Sequence, residues 1–292
     1  MNSSRDVDIH CHLLPDWDDG PRSLNEALEM ARRAANHGVS DIFVTPHVGR
    51  DLSAIGVRQT GAAHEIPSAV TALQSAVHEA GLELNLWPGA ELVIASDLPA
   101  RLEREPNLTL GSGNRYALVE LAPGAPWTGG VDEILFQIAL RGVTPIMAHP
   151  ERYPDVQRDL SRVQQAAARG ILFQLTAASL QSKGIVRDTS YRLLENGLVS
   201  FVASDAHTPH DVWPQQIQEI LISLLGRDGC QRIRQNALAL VPAAAHSSAQ
   251  EITAKQFVVP AHSSPIQASA KEEALEQRPR SFWARFGTRR ER

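Results

Sequence analysis

Short apolar runs alternate along the chain with longer segments in which apolar residues recur every three or four positions. The short runs have the length and the Val, Ile, Leu and Phe content of strands buried on both faces, and the longer segments have the period of amphipathic helices. Seven strands are predicted, over residues 7–10, 41–45, 84–88, 116–121, 144–149, 171–175 and 199–203. Helices are predicted from residue 24 to a stop at Gly38, and over 66–80, 98–105, 131–141, 160–169, 191–196, 216–225 and 230–240.

Strands that alternate with helices predict a parallel α/β fold, either a closed barrel or a doubly wound open sheet. Six of the strands end, at or just past their last residue, in an acid or a histidine: His10, His47, Glu91, Glu120, His149 and Asp205. In a barrel all these ends meet on one face, whereas an open sheet would spread them along a line. We therefore predict a distorted, TIM-like (β/α)7 barrel with a site at the carboxyl ends of its strands.

Composition limits the class of protein and its partners. The chain has 292 residues, no apolar run long enough to cross a membrane and only two cysteines, which predicts a cytoplasmic protein without disulfides. Residues 243–292 carry eight Lys or Arg against five Asp or Glu, so this tail is +3 and residues 1–242 carry −8. The acidic body argues against nucleic-acid binding. We predict one barrel domain over residues 6–242 and a disordered, basic tail over 243–292.

The strand ends carry the residue types that bind transition metals. His10 and His12 lie two apart on a predicted strand, so both imidazoles can face one ion. Nine candidate ligands share this region: His10, His12, Asp19, His47, Glu91, Glu120, His149, Asp205 and His207. Singly each has an ordinary explanation, such as a surface histidine pair or a turn cap. Together they exceed the needs of one ion, and imidazole with carboxylate suits zinc, manganese or iron(II), so two or three ions are predicted.

Such a metal cluster is suited to hydrolysis of a phosphate ester, because divalent ions activate water and neutralise phosphate oxygens. Arg152, two residues after Pro150, is a candidate fork for a phosphate oxygen, with a surface salt bridge as the alternative. A cysteine-nucleophile phosphatase is excluded, because neither Cys11 nor Cys230 is followed by an arginine six residues later.

The motifs that carry this chemistry resemble, in order and spacing, the polymerase-and-histidinol-phosphatase (PHP) superfamily, and most closely its bacterial CpsB/CapC-type capsular-polysaccharide tyrosine phosphatases. These motifs are His10-Cys-His12, Asp18-Asp19-Gly20, Thr45-Pro46-His47, Gly89-Ala90-Glu91, Ala117-Leu-Val-Glu120, Ala148-His149-Pro150-Glu151-Arg152-Tyr153 and Ser204-Asp205-Ala206-His207. The resemblance covers roughly residues 6–240.

The resemblance implies a manganese-dependent phosphotyrosine phosphatase, with iron or zinc as alternative metals, in which a metal-bridging hydroxide attacks phosphorus and Arg152 holds the phosphate. Its implied substrate is a membrane-bound tyrosine autokinase of capsule or exopolysaccharide biosynthesis. The implied ligands are His10, His12, Glu91 and Asp205 for one ion, Glu91, Glu120 and His149 for a second, and Asp19, His47 and His207 for a third.

Three features depart from the family pattern. The long loop predicted over 49–63 opens, after Thr45-Pro46-His47, with Val48-Gly49-Arg50-Asp51, which lacks the aromatic residue expected beside a phosphotyrosine. The segment after His207 offers His210 and Trp213 where a second phosphate-binding arginine is expected. A small phosphomonoester, such as histidinol phosphate or a nucleotide, is therefore the alternative substrate, and a non-catalytic metal-binding module is the alternative from another class. The third feature is the tail, whose aromatic and arginine residues over 278–292 suggest weak contact with an anionic membrane surface, with an ordinary disordered end as the alternative.

Overall fold

The structure, a computed structural model, describes residues 5–49, 59–113 and 115–242. Its strands are β1 (Val7–Cys11), β2 (Asp41–Val44), β3 (His47–Val48), β4 (Asn85–Pro88), β5 (Glu91–Val93), β6 (Tyr116–Glu120), β7 (Thr144–Ala148), β8 (Leu172–Thr176) and β9 (Phe201–Ala203). Its α-helices are α1 (Leu24–Asn36), α2 (Ile66–Glu79), α3 (Leu98–Arg104), α4 (Gly129–Leu140), α5 (Pro154–Arg158), α6 (Ser161–Ala168), α7 (Ile185–Glu195) and α8 (Gln218–Leu238).

Two of the seven predicted strands, 41–45 and 84–88, resume after a short break beyond their carboxyl ends. β2 and β3 are separated by Thr45 and Pro46, and β4 and β5 by Gly89 and Ala90. Proline has no N–H to give to a sheet ladder, so a strand breaks readily there. At Gly89 a Cβ atom would lie 2.9 Å from Leu110 Cδ2 and 3.3 Å from Thr45 Cγ2, so a larger residue there would require these side chains to shift. The breaks re-aim the chain and deliver His47 and Glu91 to the strand ends.

All strand pairs are parallel, and the sheets close on themselves. β1, β2 and β4 form one sheet, and β3, β5, β6, β7, β8 and β9 form the other in that order. The free edges meet where the Asp205 N–H donates to the His10 carbonyl at 2.8 Å and the His12 N–H to the Ala206 carbonyl at 2.9 Å. The prediction of a closed barrel is confirmed, because an open sheet would leave β1 and β9 apart.

The barrel interior beneath the site is apolar. Along β6, Tyr116 and Leu118 share the face of Glu120, and along β9 Phe201 lies on the face that leads to Asp205. These side chains pack into one buried cluster, while the opposite strand faces pack against the helices in a larger one. The polar strand ends therefore sit on an apolar plug that keeps water out from below.

The helices follow the sequence pattern with two differences. α7 starts at Ile185, directly after Gly184 at φ 72° and six residues before the predicted start, because the first half of the helix buries the polar residues Thr189 and Ser190, which hide the apolar period. α5 was not predicted, since its five residues are too few to show a period. α8 contains both predicted segments, separated by a break at Gly226, which has φ 70°.

No helix among the residues that the structure describes is long and apolar enough to cross a membrane. The predicted tail over 243–292 and residues 50–58 of the predicted loop lie outside the described ranges. The domain boundary at residue 242 therefore stays a prediction.

Candidate metal centre

The barrel brings all nine predicted ligands to the mouth formed by the carboxyl ends of its strands. Three groups of these side chains have ligand atoms within 4.8 Å of one another. They are His10, His12, Glu91 and Asp205; His47, Glu91 and Glu120; and His12, Asp19, His47 and His207. Because neighbouring groups share Glu91, His12 and His47, the mouth is one continuous cluster.

The innermost group is fully enclosed. His10 Nε2 lies 3.2 Å from Glu91 Oε2 and 3.3 Å from Asp205 Oδ1, and His12 Nε2 lies 3.3 Å from the same Glu91 oxygen. His10 lies in β1 and His12 directly after it, whereas Glu91 begins β5 and Asp205 is the second residue after β9. Two nitrogens and two carboxylate oxygens thus surround one point.

The other two groups lead from this point toward solvent. His47 Nδ1 is 3.1 Å from both Glu91 Oε2 and Glu120 Oε1, and its other ring nitrogen, Nε2, is 3.5 Å from Asp19 Oδ1. His207 Nε2 is 3.3 Å from the same Asp19 oxygen. The side chains of Asp19 and His207 are 43% and 25% exposed, so the third group forms the accessible edge of the cluster.

His149 lies beside the cluster in a left-handed backbone conformation, with φ 35°. Its Nε2 is 2.8 Å from Glu91 Oε1 and 3.8 Å from Glu120 Oε2. The geometry gathers His47 with the two glutamates, where the family resemblance implies His149. The division of ligands among individual ions therefore stays a prediction, although His149 is within reach of both glutamates.

The residues present fit divalent metal ions. Glu91 Oε2, Glu120 Oε1 and His47 Nδ1 are buried, and none of them makes a hydrogen bond within the described part of the chain. His47 Nδ1 lies 3.1 Å from each of these oxygens, but the angles do not permit a hydrogen bond. The lone pairs of the three atoms therefore converge on one region. Buried acceptors of this kind are costly unless a cation satisfies them. Imidazole and carboxylate donors together match zinc, manganese or iron(II).

The electrostatics of the cluster also call for positive charge. Burial opposes protonation of His10, but Glu91 and Asp205 outweigh it and raise the His10 pKa to about 9. Burial also opposes protonation of His47, but the charges of Glu91 and Glu120 outweigh it and raise the His47 pKa to about 10. Burial would raise the pKa of Asp205, but His10 and Arg152 hold it down at about 2. Asp205 is therefore ionised at neutral pH, and a metal ion that enters the site displaces protons from His10 and His47.

Two residues that hold the imidazoles were not predicted as site residues. His12 Nδ1 lies 2.7 Å from Asp18 Oδ2, and His10 Nδ1 lies 2.8 Å from Gln174 Oε1. Gln174 could have been noticed as the one polar residue in the predicted strand over 171–175. Asp18 had no such signal, because its neighbour Asp19 is equally acidic and sequence alone does not say which of them faces the cluster.

A third unpredicted residue, Glu151, supports the turn between His149 and Arg152. Its carboxylate is fully buried and accepts hydrogen bonds from the Ser179 hydroxyl at 2.7 Å and the Thr176 N–H at 3.1 Å. These bonds fasten the turn after β7 to the end of β8. The backbone that carries the candidate phosphate-binding arginine is thereby fixed.

Arg152 reaches the edge of the cluster. Its Nη2 is 2.7 Å from Asp205 Oδ2 and 3.4 Å from Thr176 Oγ1, and its side chain is 45% exposed. The arginine thus pairs with a site carboxylate and still presents donors to solvent. Of the two residues that follow His207 in place of a second arginine, Trp213 is buried and His210 is exposed.

The thiol of Cys11 faces away from the cluster, as predicted. Cys11 is fully buried in the core between the strands and the helices, and its Sγ lies 3.7 Å from the Ala206 carbonyl oxygen. Burial, followed by the charge of Asp8, raises its pKa well above the ordinary thiol value. A thiolate nucleophile is therefore not available at the mouth.

Comparison with known proteins agrees with this geometry. Residues 6–241 match the family model described as capsular polysaccharide synthesis, CpsB/CapC. The chain is 32% identical to the tyrosine-protein phosphatase YwqE of Bacillus subtilis over 205 residues, which are 69% of this chain and 77% of that protein. It is 29% identical to the tyrosine-protein phosphatase CpsB of Streptococcus agalactiae over 241 residues, 78% of this chain and 93% of that protein.

A solved structure gives the same result for the fold. It comes from work on YwqE from Bacillus subtilis and CpsB from Streptococcus pneumoniae, described as metal-dependent tyrosine phosphatases. It superposes with a TM-score of 0.73 at 29% identity, over 80% of this chain and 94% of the solved one. From the match over nearly all of the described barrel, the chain belongs to the CpsB/CapC family of capsular polysaccharide synthesis.

Proposed function

We propose that the protein is a metal-dependent protein tyrosine phosphatase. The observation that carries this proposal is the convergence of buried, unpartnered donor atoms of His47, Glu91 and Glu120 beside a half-exposed arginine. The first feature demands cations, and the second supplies a charge partner for an anionic substrate. The names of the relatives support phosphotyrosine as that substrate.

Nine side chains would hold the metal ions in this proposal. They are His10, His12, Asp19, His47, Glu91, Glu120, His149, Asp205 and His207. Divalent ions, when bound, supply Lewis acidity toward phosphate oxygens and lower the pKa of water. The apolar interior below the mouth strengthens the attraction between the carboxylates and a bound cation, because charges interact more strongly away from bulk water.

Arg152 would bind and orient the phosphate. A guanidinium has five N–H donors in a planar fork, of which Asp205 and Thr176 engage Nη2. Because the side chain is 45% exposed, its remaining donors are accessible and can hold two phosphate oxygens at once. The turn that Glu151 fastens keeps this fork in place next to the cluster.

Phosphotyrosine suits a site of this kind because its leaving group is a phenol. A phenol has a pKa of about 10, so the departing phenolate needs less help from a proton donor than the alkoxide of phosphoserine. The buried Cys11 has no role in the chemistry. The chain's own contribution is to bind cations, orient the phosphate and shield the mouth from below.

We further propose that manganese is the working metal and that the substrate is a membrane-bound tyrosine autokinase of capsule or exopolysaccharide biosynthesis. The family's connection with capsular polysaccharide synthesis supports this assignment. The reaction is placed in the cytoplasm, in keeping with two free cysteines.

The test is hydrolysis by chelated protein to which single metals are added back. We expect a phosphotyrosine peptide to be cleaved with manganese, and cleaved far better than histidinol phosphate, a nucleotide monophosphate or a phosphoserine peptide. Preference for histidinol phosphate or the nucleotide would make the protein a small-molecule phosphoesterase. Metal binding without hydrolysis of any of these esters would identify a non-catalytic metal-binding module.

A further inference from the structure

Asp18 is a fully buried acid that contacts the cluster from outside. Its Oδ2 lies 2.7 Å from His12 Nδ1 and also accepts the backbone N–H of His47 at 2.9 Å. Its Oδ1 accepts the Gly20 N–H at 3.0 Å. A single carboxylate thus connects the residue that follows β1 with the start of β3 and with the loop that carries Asp19.

This contact fixes the tautomer of His12. Since an ionised carboxylate only accepts hydrogen bonds, the proton of the pair must lie on His12 Nδ1. The lone pair then lies on Nε2, which faces Glu91 Oε2 at 3.3 Å and Asp205 Oδ1 at 3.6 Å. The ring is therefore presented to the cluster in the form that binds a cation.

His10 has a different partner in the same position. Its Nδ1 lies 2.8 Å from Gln174 Oε1, so a neutral amide takes the place that a carboxylate has at His12. The two Nε2 atoms are 3.2 Å apart and face the same group. A carboxylate partner makes an imidazole a stronger ligand than an amide partner does.

We propose that Asp18 is a positioning residue that makes His12 the stronger of the two imidazole ligands and holds His47 in register with it. This inference deepens the proposed function and rests on it for the presence of metal. His12 and His47 both belong to the accessible group with Asp19 and His207. Loss of Asp18 therefore weakens that group first.

The turn around Asp18 is built for this contact. A Cβ atom at Gly20 would lie 2.6 Å from the His12 carbonyl oxygen and 3.1 Å from Asp18 Oδ1. Since no side chain at position 20 fits between the turn and His12, glycine allows the Asp18 carboxylate to contact the end of β1 closely.

The main test is manganese binding by Asp18→Asn, measured by calorimetric titration and by metal retention against a chelator series, without substrate. We expect at least one ion to bind about 10- to 100-fold more weakly than in the wild type. We also expect kcat to fall while KM for a phosphotyrosine peptide changes little, because Arg152 is untouched. The matched control is Asp155→Asn, which alters a partly buried aspartate that accepts the backbone N–H of Trp127 and belongs to none of the three groups.

Wild-type manganese affinity and stoichiometry in Asp18→Asn would overturn the proposal, whatever the substrate proves to be. If phosphotyrosine hydrolysis fails while metal binding and its dependence on Asp18 persist, only the proposed function falls. A second measurement covers a variant that does not fold: histidine nitrogen spectra of the zinc-loaded wild type. We expect a proton on His12 Nδ1, and a bare Nδ1 would contradict the inference.

Discussion

The two ends of the barrel bury acids in opposite ways. At the amino end, Asp41 begins β2 and is completely enclosed, and it accepts hydrogen bonds from four side chains. Arg5 donates through Nε at 3.0 Å and Nη2 at 2.6 Å, Ser40 at 2.7 Å, Trp87 at 3.0 Å and Asn85 at 3.2 Å. The charge of Asp41 is therefore answered by the protein itself.

At the carboxyl end, two buried acids of the metal cluster lack hydrogen bonds at one oxygen each within the part of the chain that the structure describes. Glu91 Oε2 and Glu120 Oε1 are buried and make no hydrogen bond with the described residues, although His47 Nδ1 lies 3.1 Å from each. Satisfied and unsatisfied buried carboxylates thus occupy opposite ends of one barrel. Asp41 therefore has the surroundings of a residue that stabilises the fold, whereas Glu91 and Glu120 have those expected of metal ligands.

The largest effect is expected from Glu91→Gln. Glu91 belongs to two of the three groups, so an amide there removes a charged ligand from both. We expect phosphotyrosine hydrolysis to fall on the order of 10³-fold or more. Turnover and bound manganese should be measured together, with Glu105→Gln, at the residue that follows α3, as a control that leaves both unchanged. A fully active Glu91→Gln protein would remove Glu91 from the metal centre.

Arg152→Ala is expected to be the next largest. Loss of a charge partner for the transition state lowers turnover by roughly 10². Metal content should stay near that of the wild type, because Arg152 contacts Asp205 Oδ2, whereas Asp205 Oδ1 faces His10 in the cluster. Steady-state kinetics on a phosphotyrosine peptide measure the effect. Near-wild-type kinetics would leave Arg152 with a salt bridge to Asp205 as its only role.

Asp41→Asn should affect the fold and not the chemistry. The amide keeps the shape of the side chain but weakens bonds from Arg5 and removes an acceptor from Ser40 or Trp87. We expect a loss of about 2–3 kcal/mol in the free energy of unfolding, measured in urea. Turnover and metal content of the folded variant should match the wild type. A drop in metal content would mean that the two ends are coupled.

The stability that Asp41 contributes should depend on pH. Burial would raise the Asp41 pKa, but the hydrogen bonds from Arg5, Ser40 and Trp87 outweigh it and lower the pKa below the ordinary value. A lowered pKa stabilises the fold above the unfolded value of about 3.9 and ceases to do so as pH falls through the folded value. The stability difference between wild type and Asp41→Asn should be constant above about pH 5 and shrink below about pH 4. A difference that grows in acid would contradict this sign.

The smallest effect is expected at the cysteines. Since Cys11 is buried and its thiol pKa is raised, alkylating reagents should leave phosphatase activity unchanged. Cys11→Ser should retain metal content and turnover within about twofold. Loss of activity with the metal still bound would revive a thiol mechanism.

The sequence predicted the strands and the location of the site correctly, because the residue types in these segments are typical of one structural role. Apolar strands such as 116–121 and 144–149 have no other use than a buried parallel sheet, and acids and histidines after them had to share its carboxyl end. The family match over residues 6–241 and the closure between His10 and Asp205 confirm this part.

What sequence could not supply was the pairing of side chains across the barrel. Gln174 is 164 residues from His10, and nothing local links them. Asp18 and Asp19 differ only in which way the loop after β1 turns them, one behind His12 and the other toward His207. The break at Gly89 accompanies a close approach to Leu110, which also appears only in three dimensions.

The most direct test of the contrast between the two barrel ends is the metal content of purified wild type, Glu91→Gln and Asp41→Asn, measured by mass spectrometry alongside phosphotyrosine hydrolysis. We expect the wild type and Asp41→Asn to hold two or three ions per chain, in keeping with the three groups at the mouth, and Glu91→Gln to hold fewer. Chelation should abolish activity, and manganese should restore it. Full activity of exhaustively chelated protein, or wild-type metal content in Glu91→Gln, would contradict the assignment of the mouth as a metal centre.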